Sequence, residues 1–210
     1  MLLDDISTAL QAGNAKKTKE LVQQAIDEKI PVKEILEKGL LAGMDVIGSK
    51  FKNNEIYIPE VLISARAMNQ SIEILKPLLK SGGVEPVGRA CIGTVQGDLH
   101  DIGKNLVKLM FEGKGFEVID LGTDVSPEAF VKGAVENDCR IICCSALLTT
   151  TRGVMADVVK AVKDAGLQDK IKVMIGGAAV SKEFCDEIGA DYFTADAASA
   201  AEVALGIVNG

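Results

Sequence analysis

Residues 89–105 read Arg89-Ala90-Cys91-Ile92-Gly93-Thr94-Val95-Gln96-Gly97-Asp98-Leu99-His100-Asp101-Ile102-Gly103-Lys104-Asn105. After Arg89, six apolar, small or β-branched residues end one residue short of a Gly-Asp pair and predict a strand over 89–95. From Ile102 the apolar period changes to that of a helix, predicted over 102–113. The same alternation continues to the C-terminus. Strands are expected at 116–120, 140–144, 171–175 and 191–194, and helices at 127–137, 152–165, 181–188 and 197–208. Repeated βα units of about 25 residues imply a parallel sheet with helices on both faces. The commonest five-stranded order, 2-1-3-4-5, opens a crevice at the carboxyl ends of the first and third strands. A ligand is then met by the loops that follow those strands.

Upstream, residues 1–80 read as helix throughout. Ile35, Leu36, Leu40, Met44, Ile47 and Phe51 recur at three- and four-residue steps, and so do Val61, Ala65, Met68, Ile72, Leu75 and Leu79. Asn14 and Pro31 stand where breaks between helices are expected, and Tyr57-Ile58-Pro59 reads as a turn opening a helix. Four helices make a small bundle. Residues 81–88, SGGVEPVG, hold three glycines and a proline and read as a linker. The expected architecture is therefore an N-terminal four-helix bundle over 1–86, followed by a flavodoxin-like, doubly wound, five-stranded α/β domain over 87–210.

Composition narrows the function. The 210 residues carry a net charge of −7, which argues against a nucleic-acid backbone as main partner. Residues 1–86 hold 11 basic and 12 acidic residues and residues 87–210 hold 12 and 18, so the acidity gathers in the α/β half and speaks for protein partners. There is one histidine, His100, which excludes a protein-only zinc site of the two-histidine type. Cys91, Cys139, Cys143, Cys144 and Cys185 show no C-x-x-C spacing and read as reduced, buried small hydrophobes, as suits a reducing cytoplasm. The N-terminal residues lack the basic and long apolar regions of a signal peptide, and no apolar run reaches the roughly 18 residues a membrane span needs. The expectation is a soluble cytoplasmic protein without nucleic-acid or membrane partners.

The single histidine falls at the predicted ligand edge, two residues after Asp98. That spacing in a loop can aim a carboxylate at one imidazole nitrogen while the other faces outward. One histidine with one supporting carboxylate is a poor stand-alone metal site. It suits a metal already held by a macrocycle and needing one axial ligand. Gly97 and Gly103 let the backbone approach a large ligand. As a lone surface-loop residue, His100 could equally cap a helix. The loop after the third strand, Ser145-Ala146-Leu147-Leu148-Thr149-Thr150-Thr151, offers hydroxyls to a ligand's polar tail or to the next helix. Gly176-Gly177-Ala178-Ala179 follows the fourth strand and leaves room for something slender, or simply turns.

Together these segments resemble the cobalamin-binding fold, whose pattern D-x-H-x-x-G, S-x-L and G-G appears in order as Asp98–Gly103, Ser145–Leu147 and Gly176-Gly177. The helical half resembles the cap domain of methionine synthase and of the corrinoid proteins of methanol, methylamine and methoxyl methyltransferase systems. The similar runs are Gly39-Leu40-Leu41-Ala42-Gly43-Met44-Asp45-Val46-Ile47-Gly48-Ser49-Lys50-Phe51 and Tyr57-Ile58-Pro59-Glu60-Val61-Leu62-Ile63-Ser64-Ala65-Arg66-Ala67-Met68. The resemblance implies a cobalamin or related cobamide bound with its own lower base detached and His100 as the lower ligand of cobalt. It implies a catalytic relay of His100, Asp98 and Thr151, where methionine synthase often has serine in place of the threonine. Proton uptake by the Asp98–His100 pair would favour ligand release and the electron-rich metal. Further cofactor contacts implied are Gly97, Leu99, Asp101, Ile102, Gly103, Ser145, Leu147, Thr149, Gly176, Gly177 and Ala197, with Glu37, Phe51 and Ile58 from the cap; Phe51 and Ile58 also suit the bundle core. The cap would shield the metal and move aside for transfer, with 81–88 as the hinge.

The function implied is a methyl carrier, non-catalytic alone. It would shuttle a methyl group on cobalt from a substrate-specific methyltransferase to a second one serving coenzyme M or tetrahydrofolate, with a reductive activation protein as third partner. A cobalamin-binding regulatory sensor, the small subunit of a carbon-skeleton mutase and a flavodoxin-like domain without corrinoid are the alternatives.

Overall fold

The computed structural model describes residues 1–81 and 85–210; the centre of the expected 81–88 linker, and with it the expected hinge, lies outside the described residues. The chain divides into two compact units, Met1–Pro86 with Gly113–Gly115, and Val87–Glu112 with Phe116–Gly210.

In the first unit, α1 (Leu2–Gln11) buries Ile6, Ala9 and Leu10. Gly13, at φ +66, turns the chain, and Asn14 caps α2 (Ala15–Asp27) by accepting from the Lys17 N–H at 3.0 Å. Pro31 precedes α3 (Val32–Glu34), which runs through a π-helical segment, Ile35–Leu41, into α4 (Ala42–Lys52). After a turn comes α5 (Ile58–Ser81), with Pro59 in its first turn as expected. The four expected helices are present, the third as a composite rod. The π segment is a departure from the reading of a regular stripe: the extra residue in its turns resets which side chains face inward. Gly39 and Gly43 then allow α1 close approach, since a Cβ on Gly39 would stand 3.1 Å from Ile6 Cγ2 and one on Gly43 3.1 Å from the Ser7 carbonyl oxygen.

The second unit is built on β1 (Arg89–Val95), β2 (Glu117–Val125), β3 (Ile141–Ser145), β4 (Lys172–Gly176) and β5 (Tyr192–Phe193). They form one parallel sheet in the order β2-β1-β3-β4-β5, as expected. Between them lie α6 (Ile102–Gly113), α7 (Pro127–Glu136), α8 (Val154–Asp164) and α9 (Lys182–Ile188), and α10 (Ala197–Asn209) closes the chain. Every residue from Ala90 to Val95 and from Ile141 to Cys144 is buried, so both faces of β1 and β3 are covered. The core gathers Val95, Phe130, Ile142, Met155, Val158 and Ile175. Each such large side chain contributes about 1.5–3 kcal/mol by leaving water. Phe130 reaches beneath Gly93, where a Cβ would stand 2.9 Å from its ring. Ser126, Ser181 and Asp196 cap α7, α9 and α10 by accepting from Ala129, Phe184 and Ser199 N–H groups.

Beyond one-residue shifts elsewhere, three elements differ from the sequence reading. β2 continues five residues beyond 120, because Gly122 (φ +86) and Asp124 (φ +56) are bulges within the strand rather than the turn that ends it. α8 opens at Val154 instead of 152, since residues 148–153 form hydrogen-bonded turns first. β5 is only two residues long. All five cysteines are buried and free. No helix among the described residues is long and apolar enough to cross a membrane.

Candidate functional site

Register brings the candidate loops together. Thr94 on β1 pairs with Ser145 on β3, and Ser145 pairs with Gly176 on β4, so the segments after these three strands open side by side at the carboxyl edge.

Asp98 is fully buried at the centre. Its Oδ1 accepts from His100 Nδ1 at 2.7 Å and from the His100 backbone N–H at 3.1 Å. Its Oδ2 accepts from the N–H groups of Leu147 (2.9 Å) and Leu148 (3.3 Å) and from the Thr151 hydroxyl (2.8 Å). Burial pushes this carboxyl up, but the bonds from His100, Leu147 and Thr151 outweigh it and hold it well below the usual carboxylate range. An ionised carboxylate can only accept, so His100 Nδ1 is the donor in this bond. The His100 side chain is 52% exposed, and no described residue bonds Nε2. The Thr94 hydroxyl donates to the His100 carbonyl at 2.8 Å and ties the loop to β1. Leu99 (73% exposed) and Ile102 (72%) in the same loop, and Leu147 and Leu148 in the segment bonded to Asp98, present apolar side chains to solvent.

The other expected residues are distributed as follows. Gly97 takes φ +83, which favours glycine, and Asp101 accepts from the Asn105 side chain at 3.0 Å. A Cβ on Gly103 would meet nothing within 4 Å, so open space lies beside the start of α6. Thr151 is buried, whereas Thr149 is exposed. The Ala146 N–H donates to the Gly176 carbonyl at 3.2 Å, joining the β3 and β4 ends. Gly177, at φ +123, lies so close to that strand that a Cβ would stand 2.1 Å from the Ala146 oxygen. Gly177→Ala is therefore expected to destabilise the protein by about 2–3 kcal/mol, as measured by urea unfolding. Ala197 is buried at the start of α10, and no hydrogen bond among the described residues links it to the His100 loop. In the helical unit, Glu37 sits in the π segment with its side chain 3.7 Å from Lys33. Phe51 is half-buried near the end of α4, and Ile58 is exposed at the start of α5, so neither is a fully buried bundle-core residue.

Three residues outside the sequence expectations touch this loop or its helix. Lys104 is buried and donates to Asp120 Oδ1 and Asn105 Oδ1, each at 2.7 Å. Asp124 accepts from the Gly97 N–H. Their shared signal is position, since β2 lies beside β1 at the switch in strand order; the misplaced end of β2 hid it. Burial pushes the Asp120 carboxyl up, and the hydrogen bonds from Lys104 and Gly122 more than offset this, leaving it below its ordinary value. A carboxyl depressed in the folded state contributes stability that is present above its unfolded pKa and lost as pH falls through the folded one. The stability gap between wild type and Asp120→Asn is thus expected to hold from neutral pH down to about 5 and to shrink below about 4, as read by thermal unfolding.

Residues 88–205 match the family model of the B12 binding domain, and residues 2–76 match a second model, also a B12 binding domain. The chain belongs to the B12-binding family. A corrinoid protein of Desulfitobacterium hafniense is 40% identical over 97% of this chain and 95% of its own length. Dimethylamine corrinoid protein 3 of Methanosarcina acetivorans is 39% identical over 95% and 93%. Among solved structures, the methanol:cobalamin methyltransferase complex from Methanosarcina barkeri is similar with a TM-score of 0.89 and 29% identity, over all of this chain and 80% of that one.

The residues present in this B12-binding protein fit such a group. No cluster of three or more His, Cys, Asp or Glu side chains among the described residues could hold a metal ion alone. A corrin brings four nitrogens of its own, and the free Nε2 of His100 is one more. The exposed Leu99 and Ile102 of the same loop suit the apolar face of a macrocycle, and nothing lies within 4 Å of where a Cβ on Gly103 would stand.

Proposed function

We propose that this protein is a methyl carrier, shuttling a methyl group on the cobalt of a bound corrinoid between a substrate-specific methyltransferase and a second methyltransferase serving coenzyme M or tetrahydrofolate. The observation that carries the reading is the Asp98–His100 pair, with Nδ1 held at 2.7 Å on a half-exposed ring in a loop that also exposes Leu99 and Ile102. Relatives named as corrinoid proteins of methylamine systems, alike over nearly the whole chain, support it.

A bound cobamide, base-off, supplies a cobalt centre able to accept and release a methyl group. His100 Nε2 would hold the cobalt. Asp98 and Thr151 keep the imidazole in the Nδ1–H form and set its basicity, as carboxylate partners of ligating histidines do. Leu99, Ile102 and Leu147 would hold the ring system, and Ser145, Thr149, Gly176, Gly177 and Ala197 its nucleotide tail. Glu37, Phe51 and Ile58 of the helical unit would be further cofactor contacts. Both methyltransferases and a reductive activation protein are partners, and the cytoplasm is the setting, supported by five buried cysteines without a disulfide.

The test begins with the visible spectrum of the purified protein after incubation with a cobamide and gel filtration. A retained corrinoid that is remethylated by a partner methyltransferase after reduction is the expected result. No retention overturns the reading. Retention without remethylation from any of a panel of methyl donors, with a light-dependent change in oligomeric state, replaces it with the sensor.

A further inference from the structure

The loop that carries His100 is held from β2 as well as from β3. Asp124, near the end of β2, has φ +56, a left-handed conformation that Asp tolerates better than most side chains. From there its Oδ1 accepts from the Gly97 N–H at 2.7 Å, and its own N–H donates to the Asp98 carbonyl at 3.1 Å. The two bonds fall on either side of the Gly97–Asp98 peptide. The first is charge-assisted and correspondingly short. Gly97 itself, at φ +83, is a turn residue with little conformational preference of its own. Yet the Asp98 carboxylate that follows must meet His100 Nδ1 with one oxygen and Leu147, Leu148 and Thr151 with the other. Those two demands leave little freedom to the peptide that precedes it.

We propose that Asp124 is a positioning residue for His100. It fixes the Gly97–Asp98 peptide so that Asp98 holds the imidazole in the Nδ1–H form and Nε2 stays available. The use made of Nε2 rests on the function proposed above; the positioning itself does not, and is measured on the cofactor-free full chain.

His100 is the only histidine, so nitrogen-15 histidine labelling reports a single ring. Tautomer populations are read by long-range proton–nitrogen correlation at the alkaline plateau of a pH series, where the ring nitrogen shifts no longer change. Wild type is expected in the Nδ1–H form. Asp124→Gly accepts the left-handed backbone and removes only the acceptor. It is expected to lower the ratio of Nδ1–H to Nε2–H at least about threefold. Asp124→Asn keeps both an acceptor oxygen and the tolerance for positive φ, and is expected to stay with wild type. A mere strand-end role would alter stability and leave the tautomer untouched. Folded Asp124→Gly with the wild-type ring pattern overturns the proposal, and so does Asp124→Asn behaving like Asp124→Gly. If Asp124→Gly does not fold, the Gly97 amide of wild type decides. Hydrogen exchange slowed at least about tenfold from the random-coil rate supports the contact, and exchange at that rate overturns it. A wild type that binds no cobamide bears on the function alone and leaves these readings intact.

Discussion

Asp98→Ala is expected to cost the cofactor-free protein about 3–5 kcal/mol of stability, because it strips the acceptor from a set of buried donors. His100 N–H, the Leu147 and Leu148 N–H groups and the Thr151 hydroxyl all point at the carboxylate, which is fully buried. The penalty differs from that of an ordinary cavity. The removed group is the junction between the end of β1 and the turns after β3, so the loop bearing His100 and the segment 147–151 lose their common anchor. Asp98→Asn keeps one acceptor but turns an NH₂ toward either His100 or Thr151, and should fall between alanine and wild type. Urea unfolding measures both. A loss below about 1 kcal/mol for the alanine variant would show that the donors find other partners.

His100→Ala should do the reverse. Its side chain is half exposed and leaves the Oδ2 bonds of Asp98 intact, so stability should change by less than about 1 kcal/mol. Its effect falls on the cofactor. Retention of a cobamide through gel filtration is expected to drop at least about tenfold, on the reading of Nε2 as the fifth ligand. In electron paramagnetic resonance of the cobalt(II) form, the axial-nitrogen splitting should disappear. Nitrogen splitting that persists unchanged in this variant would sink the ligand assignment. The pair of variants separates the scaffold from the ligand: the aspartate governs both folding and the imidazole, the histidine only the metal.

Much of this was legible in the residues. α6 starts at Ile102 as read, since the change from a loop to a 3.6-residue period is local information. The strand order is not directly legible in the residues; the observed one is the commonest five-stranded solution, among the few that crossover connections leave. The end of β2 was not legible. Gly122 and Asp124 carry the same local signal whether they end a strand or bulge within one, and only the pairing of Gly93 with Gly122 and Val95 with Val125 tells which. The π segment was hidden for a similar reason: an apolar stripe at three- and four-residue steps is compatible with an inserted residue, and the choice falls to the packing of α1 onto Gly39 and Gly43.

The sequence by itself determined the fold class, the edge of the sheet at which the candidate site lies and the identity of its one imidazole. These depend on local periodicity, on the rules of parallel-sheet connection and on there being a single histidine in the chain. Only the tertiary structure decided how that imidazole is held. Thr151 lies 53 residues from Asp98 along the chain, and Asp124 lies 27 residues from Gly97. Both meet this loop because β1 is flanked by β3 on one side and β2 on the other. The hydrogen bonds that select a tautomer are set by distances of tenths of an ångström. No residue pattern specifies such distances before the strands have paired.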